Sequence, residues 1–316
     1  MWELAGAVLR CPTSVGAALS CMPKIVRLSP GIKRSSQEVV KDEAAFSTNQ
    51  ARRGGDHNFT TDGCCAGRCL AFAERLDTPL LVIHGGAPDT QKEAEFRDAM
   101  SQLEIPRETR IVWNEGEPAR AIVTAAEKEG VDLLIAGALE GKDVANRSFL
   151  GAVARPLAKL ARCSVLLLTH PQIGPNPFRR IVVITDFSDC AKKALKNALW
   201  LAEADSAELV QVISIHTPFM QVRAESDVEY EEPARNREKE EELMRDFMAT
   251  APTRGVPVEC KIVDTTTGFA ACDFTQSIGA ELLVVPAPEH LEGAVPSMMD
   301  WALQVTPCSL WIVRGS

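Results

Sequence analysis

Val131–Thr169 reads VDLLIAGALEGKDVANRSFLGAVARPLAKLARCSVLLLT. An apolar run at Leu133–Ala136, a glycine-punctuated loop from Gly137 to Gly151, a short amphipathic stretch and a second apolar run at Val165–Leu168 predict a β-loop-α-β unit. Parallel strands joined by a helix cross over in the right-handed sense. The loop after the first strand then lies at the carboxyl edge of a sheet, where open α/β folds bind ligands. Gly137, Gly141 and Gly151 can take positive φ and let backbone amides approach a ligand, and the helix starting near Ala152 points free N–H groups the same way. Such a loop suits phosphate. Three glycines in a loop are also ordinary turn punctuation, and the stretch by itself leaves both readings open.

Working outward, 316 residues suit two domains better than one. With 46% hydrophobic and 24% charged residues the chain can bury ordinary cores. The net charge of −9, with no basic cluster, argues against a nucleic-acid partner. No apolar run has the length of a membrane span, so no membrane partner is expected. The ten cysteines lack the dense, regular spacing of a small secreted framework. Cys163, Cys190, Cys260, Cys272 and Cys308 scatter through predicted strands and helices. Reduced thiols in a cytoplasm, mostly packing as small hydrophobes, are the expectation.

Residues 1–55 read as a poorly ordered extension. MWELAGAVLRCPTSVGAALSCMPK has a broken apolar run and no basic start, a poor match to a signal peptide, while its few acidic residues leave an organellar presequence as an alternative. Ser35–Asp56 is polar and linker-like. From Phe59 the pattern predicts a short strand ending at Asp62, a glycine turn, an amphipathic helix with Leu70, Phe72, Ala73 and Leu76 inward, and a strand at Leu80–Ile83. A helix around Glu93–Leu103, a strand at Arg110–Trp113, a Gly116–Pro118 turn and a helix at Ala119–Glu129 lead back to Val131. Pro171–Pro177, PQIGPNP, can continue neither a strand nor a helix, and marks the domain boundary.

Beyond it the order repeats. RRIVVITDFSDCAKKALKNALWLAEADSAELVQVISIH places Thr185-Asp186 at the strand end where Thr61-Asp62 stands. Ala280-Glu281-Leu282-Leu283 answers Val131-Asp132-Leu133-Leu134, and Cys308-Ser309-Leu310 answers Cys163-Ser164-Val165. The chain is an internal tandem repeat. The second copy adds a charged stretch between about Arg223 and Arg254, where Leu243, Met244, Phe247 and Met248 form an apolar stripe that could dock a partner. Its loop, VVPAPEHLEGAVPSMMD, has Pro286 and Pro296 where the first copy has glycines. Proline has no N–H to offer a phosphate, so the second copy reads as ligand-poor.

Taken together, these units resemble the universal stress protein family in a tandem, two-domain form. They are the Val131–Thr169 stretch, both Thr-Asp strand ends, the Gly-Glu-Pro-Ala-Arg-Ala-Ile run from Gly116 and the Cys-Ser-Val-Leu-Leu-Leu closing strand. The resemblance spans roughly residues 57–314. It implies two α/β domains, each a doubly wound, five-stranded parallel sheet of the adenine nucleotide alpha hydrolase-like type. Their bounds would be 56–171 and 178–316, with a linker at 172–177, and their last strands would pair in an intramolecular pseudo-dimer; a homodimer is also open. It further implies a stress-response role and ATP, or a related adenine nucleotide, bound through a Gly-x2-Gly-x9-Gly-Ser/Thr loop with no metal assigned. Carried onto this chain, the cofactor-binding residues are Thr61, Asp62, Ile83, Gly137, Gly141, Gly151, Ala152 and Val153. Gly141 and Gly151 keep the spacing of that motif, Gly137 stands one residue too far from Gly141, and Ala152 replaces the hydroxyl residue.

Asp62 and Asp186 can equally cap the helices that follow them. Cys64, Cys65 and Cys69 near a helix start can be packing or redox-sensitive thiols, and with His57 and His84 they fit no standard zinc spacing. His84, ending a strand at the carboxyl edge, is read as structural in preference to lining the site. No catalytic constellation stands out, so at most slow ATP hydrolysis is expected. The alternative function is a nucleotide-independent interaction module acting through its surface or a dimer interface.

Overall fold

Apolar runs of β-branched and leucine residues bounded by turn chemistry become strands that are buried on both faces, the pattern of a sheet covered by helices on each side. A computed structural model of the chain describes residues 24–26, 69, 71–73, 80–102, 105–138, 150–169, 177–216, 233–253, 255–264, 269–288, 297–305 and 308–315. Its elements in chain order are β1 (Lys24–Val26), β2 (Leu80–Gly85), α1 (Thr90–Gln102), β3 (Arg110–Asn114), α2 (Pro118–Glu129), β4 (Leu133–Gly137), α3 (Ala154–Leu160) and β5 (Ser164–Leu168). The second repeat follows with β6 (Arg180–Thr185), α4 (Asp189–Asp205), β7 (Leu209–His216), α5 (Pro233–Ala249), β8 (Val258–Asp264), α6 (Phe269–Ser277), β9 (Leu282–Ala287), α7 (Ser297–Gln304) and β10 (Ser309–Arg314). Residues 69 and 71–73 are also helical.

The strands form one ten-stranded sheet in the order β3-β2-β1-β4-β5-β10-β9-β6-β7-β8. Each repeat therefore has the doubly wound order third-second-first-fourth-fifth, and the sequence places a topological switch beside the first and fourth strands. One face packs against α1, α4, α5 and the helical residues 69 and 71–73 through Phe72, Phe96, Leu195 and Phe247. The other face packs against α2, α3, α6 and α7 through Ile122, Leu157, Ala271 and Leu303.

The two repeats are joined edge to edge. β5 and β10 pair antiparallel, with Leu167 opposite Leu310, Leu166 opposite Trp311 and Val165 opposite Ile312. Leu166 and Trp311 hold equivalent places in the two copies, so a pseudo-twofold axis passes between them. The pairing is matched at both ends: Arg314 N–H donates to Ser164 Oγ (3.1 Å) and Thr169 N–H to Ser309 Oγ (3.4 Å). Phe72 of the first repeat lies edge-on to Trp311 at 6.0 Å and tilted against Trp200 at 5.8 Å. The Arg314 guanidinium, 3% exposed, crosses the seam and donates to Ala158 O (2.8 Å) at the carboxyl end of α3 and to Pro288 O (3.0 Å). A cation at a helix carboxyl end is favourably placed in the dipole field. Arg155 mirrors it, donating to Leu303 O (3.1 Å) at the end of α7.

Two expectations change here. The central strand of the first repeat is Lys24–Val26, inside the segment read from the sequence as an extension, and it runs antiparallel to both β2 and β4. The expected strand ending at Asp62 lies outside the described residues. Three residues with one Ile-Val pair are too short to announce themselves by periodicity. The expected docking stripe on α5 is largely used up internally: Met244 and Phe247 are 5% and 2% exposed and pack into the core, leaving Leu243 outward at 49%.

Replacing Arg314 with alanine strands buried carbonyls at the seam and is expected to cost about 1–3 kcal/mol of unfolding free energy in urea titrations. Removing the half-exposed Lys159–Asp300 pair (3.3 Å) by Lys159→Ala should cost under about 1 kcal/mol in the same assay.

Candidate functional site

By the strand order, the switch points fall at the carboxyl ends of β4 in the first repeat and of β6 and β9 in the second. In the first, β4 ends at the exposed Gly137, and the buried Ala138 donates its N–H to Leu168 O (2.9 Å) on β5. The loop leaves the described residues, which exclude Gly141, and returns at Leu150. Gly151 N–H donates to Ala138 O (2.8 Å), closing the loop base, so that amide is already bonded. Arg155 N–H bonds Gly151 O (3.3 Å) and Leu157 N–H bonds Val153 O (3.0 Å), so the chain begins to coil at Gly151. Val153, helical at φ −91°, gives α3 no side-chain cap, and Pro156 takes away one N–H from the first turn. Ala152 is exposed at the same bend. Ile83, fully buried on β2, has its side chain in the core with Ile122 and Leu134. Thr61 and Asp62 lie outside the described residues, as do Cys64, Cys65 and His57. Gly137, Gly151, Ala152 and Val153 thus come together at one edge, and Ile83 stands apart inside.

Beside this edge β2 closes against α2. A Cβ on Gly85 would come within 2.7 Å of Pro118 O and 2.9 Å of Pro118 Cα, so only glycine permits the approach. Glu117 caps α2, its carboxylate accepting from Ala119 N–H (3.2 Å) and Arg120 N–H (3.0 Å). That helix start is occupied by the chain itself.

His84 is 6% exposed and lies edge-on to Trp113 (4.8 Å between ring centroids) and tilted against Phe96 (5.3 Å). Its Nδ1 has no partner among the described residues. Burial, then the nearby Lys92 charge, pull its pKa below the ordinary 6.5. It is a core aromatic. Cys69 is buried as well, consistent with packing.

In the second repeat the turn after β6 is fully described. Thr185 Oγ1 accepts from Phe187 N–H (2.9 Å), and Asp186 Oδ1 accepts from Ser188 N–H (3.0 Å) and Ser188 Oγ–H (2.5 Å). Ser188 Oγ accepts from Ala191 N–H (3.2 Å), making Ser188 the cap of α4. The capping role expected of Asp186 belongs to the serine two residues on, while Asp186 ties the turn. Phe187 sits at φ 62°, a left-handed conformation uncommon for a bulky side chain, and its ring packs edge-on to Phe247 at 5.8 Å. Gly63 stands at the corresponding place of the first copy.

The Cys190 thiol lies across the carboxyl ends of β9 and β10, donating toward Ala287 O (3.0 Å) and Val313 O (3.3 Å). Burial pushes its pKa up, outweighing the bond to Ala287 O, which lowers it. Gly315 is wedged against it: a Cβ there would fall 2.9 Å from Cys190 Cβ. Pro286 lies within β9 and Pro288 follows it. Cys190, Gly315 and Arg314 carry no motif that sequence reading could have singled out. Burial raises the other thiols too, Cys163 to about 12 and Cys272 to about 11.

These two edges on one doubly wound sheet define a tandem α/β protein with a switch-point crevice in each half. The model of the universal stress protein family matches residues 74–169 and 177–314, and the chain belongs to that family. A universal stress protein of Methanothermobacter thermautotrophicus is 37% identical over 59 residues, covering 19% of this chain and 39% of that relative's length. A Pseudomonas aeruginosa UCBPP-PA14 protein assigned to the same family shares the fold at TM-score 0.60 with 14% identity, covering 82% of this chain and 90% of its own. A universal stress protein solved in complex with cAMP, 18% identical, matches 44% of this chain and 99% of its own at TM-score 0.34. No helix among the described residues is long and apolar enough to cross a membrane.

The lowered His84 pKa predicts a pH dependence. As pH falls through 6.5 the unfolded chain takes up this proton first, so the stability from neutral His84 is complete above 6.5 and lost as pH drops toward the folded value. Thermal midpoints should decline as pH falls below 6.5, and His84→Phe should flatten part of that decline.

Proposed function

We propose that this is a stress-response protein whose first repeat binds ATP or a related adenine nucleotide, with the second repeat serving as its structural partner. The contrast between the two carboxyl edges carries this reading. In the second repeat the edge is filled by the chain itself: Cys190 lies on the β9 and β10 carbonyls, and Pro286 and Pro288 withhold two amides. In the first repeat Gly137 is exposed where β4 ends, and the chain re-enters through Gly151 and Val153 into a helix with no side-chain cap. A phosphate group would be met there by backbone amides, which any residue type supplies. The missing hydroxyl at Ala152 then removes one side-chain contact and leaves the backbone cradle. Asp62, which corresponds in sequence to Asp186, would meet the nucleoside.

Excess ATP should raise the thermal midpoint of the purified chain, by the equivalent of about 2.7 kcal/mol at a hundredfold excess over Kd. Gly151→Val should abolish that shift while the ATP-free midpoint stays measurable, and Asp62→Ala should weaken it. An unchanged midpoint with ATP in the wild-type chain would contradict the proposal.

A further inference from the structure

Among the described residues the ten-stranded sheet ends at β8, which is bonded on one side, to β7. Val210 N–H donates to Pro257 O (2.9 Å), and this sets the phase of the ladder: odd-numbered residues of β8 turn their backbone groups toward β7. Val258, Cys260, Ile262 and Asp264 therefore direct N–H and C=O outward along an open edge. Glu259, Cys260 and Lys261 are all exposed. An uncovered strand of this length is a template for another strand unless something protects it.

We propose that β8 pairs antiparallel with β8 of a second copy of this chain, about a twofold axis at Cys260. Three features of VECKIVD select this partner and this register. First, Cys260 is one of the outward-facing residues, so the axis falls on a pair that exchanges both backbone hydrogen bonds. Second, centring on Cys260 sets Glu259 of each copy opposite Lys261 of the other, twice over. Sliding the register by two residues sets like charges opposite one another, which is destabilising. A lone lysine would guard the edge; a lysine two residues from a glutamate makes it self-complementary. Third, the same register sets Val258 opposite Ile262 on the α5 side. There a groove of about 600 Å³ between α5 and β8 presents Met248, Cys260 and Ile262 beside the new strand pair, with Arg237, Glu241 and Arg245 along its α5 wall.

The opposite edge of the sheet has no such pattern. β3 reads RIVWN, and its one charge, Arg110, would face Asn114 in any pairing centred on Val112. Pairing β8 with itself is isologous and closes at two copies, whereas pairing β8 with β3 would propagate into filaments.

A charge swap tests this on the intact chain. Light scattering should give twice the 34.3 kDa chain mass. Glu259→Lys and Lys261→Glu, taken singly, each place like charges opposite one another at two sites, and each should weaken dimerisation by about tenfold or more. The double variant Glu259→Lys/Lys261→Glu restores opposite charges and should return the dimer. A short bismaleimide should couple two wild-type chains through Cys260 and fail with Cys260→Ser. A monomer at the highest soluble concentration, a dimer that both single variants leave intact, or a double variant as weak as the singles would overturn the proposal. Near-UV circular dichroism of each variant separates lost pairing from lost folding.

Discussion

The antiparallel pairing of β5 with β10 is the constraint on which the rest of the molecule depends. It turns two five-stranded sheets into one and sets Leu166 against Trp311 across a pseudo-twofold axis. The carboxyl end of α3 is thereby brought within reach of Arg314, and that of α7 within reach of Arg155. A buried guanidinium without hydrogen bonds would be costly; here the α3 carbonyls and Pro288 O accept from it. Because the closing strands of both repeats are spent on one another, the outermost strands among the described residues are β3 and β8, at the far ends of the sheet.

This seam also holds the two switch-point crevices in fixed relation while letting their contents diverge. The backbone order is the same in each half. The side chains at the carboxyl edges are not: one edge is packed by Cys190 against Gly315, and the other is framed by Gly137 and Gly151. A repeat freed from binding can fill its crevice and lend the gained contacts to stability. On the proposed reading, that division of labour is what duplication allowed here.

The doubly wound order was legible because runs such as RIVVIT and SVLLL are unbroken and the helices between them keep a helical period. Their strand assignments survive almost residue for residue. Lys24–Val26 escaped notice because its place in the sheet comes from β2 and β4, not from its own pattern. Ser188 outcompeted Asp186 as a cap for a geometric reason: the carboxylate had first to satisfy the left-handed turn at Phe187. Of the crevice residues, Gly137, Gly151, Ala152 and Val153 were readable as a loop; that Gly151 spends its amide on Ala138 O was not, since that bond is a matter of loop path. Cys190 and Arg314 were unreadable because their partners are carbonyls 26 to 156 residues away in sequence, brought near only by the fold.

The central claim is functional asymmetry between two halves of one sheet, and the stoichiometry of ATP binding measures it directly. Isothermal titration of the wild-type chain should give one ATP per chain, with that site removed by Gly151→Val. Two equivalent sites per chain, or none, would contradict it.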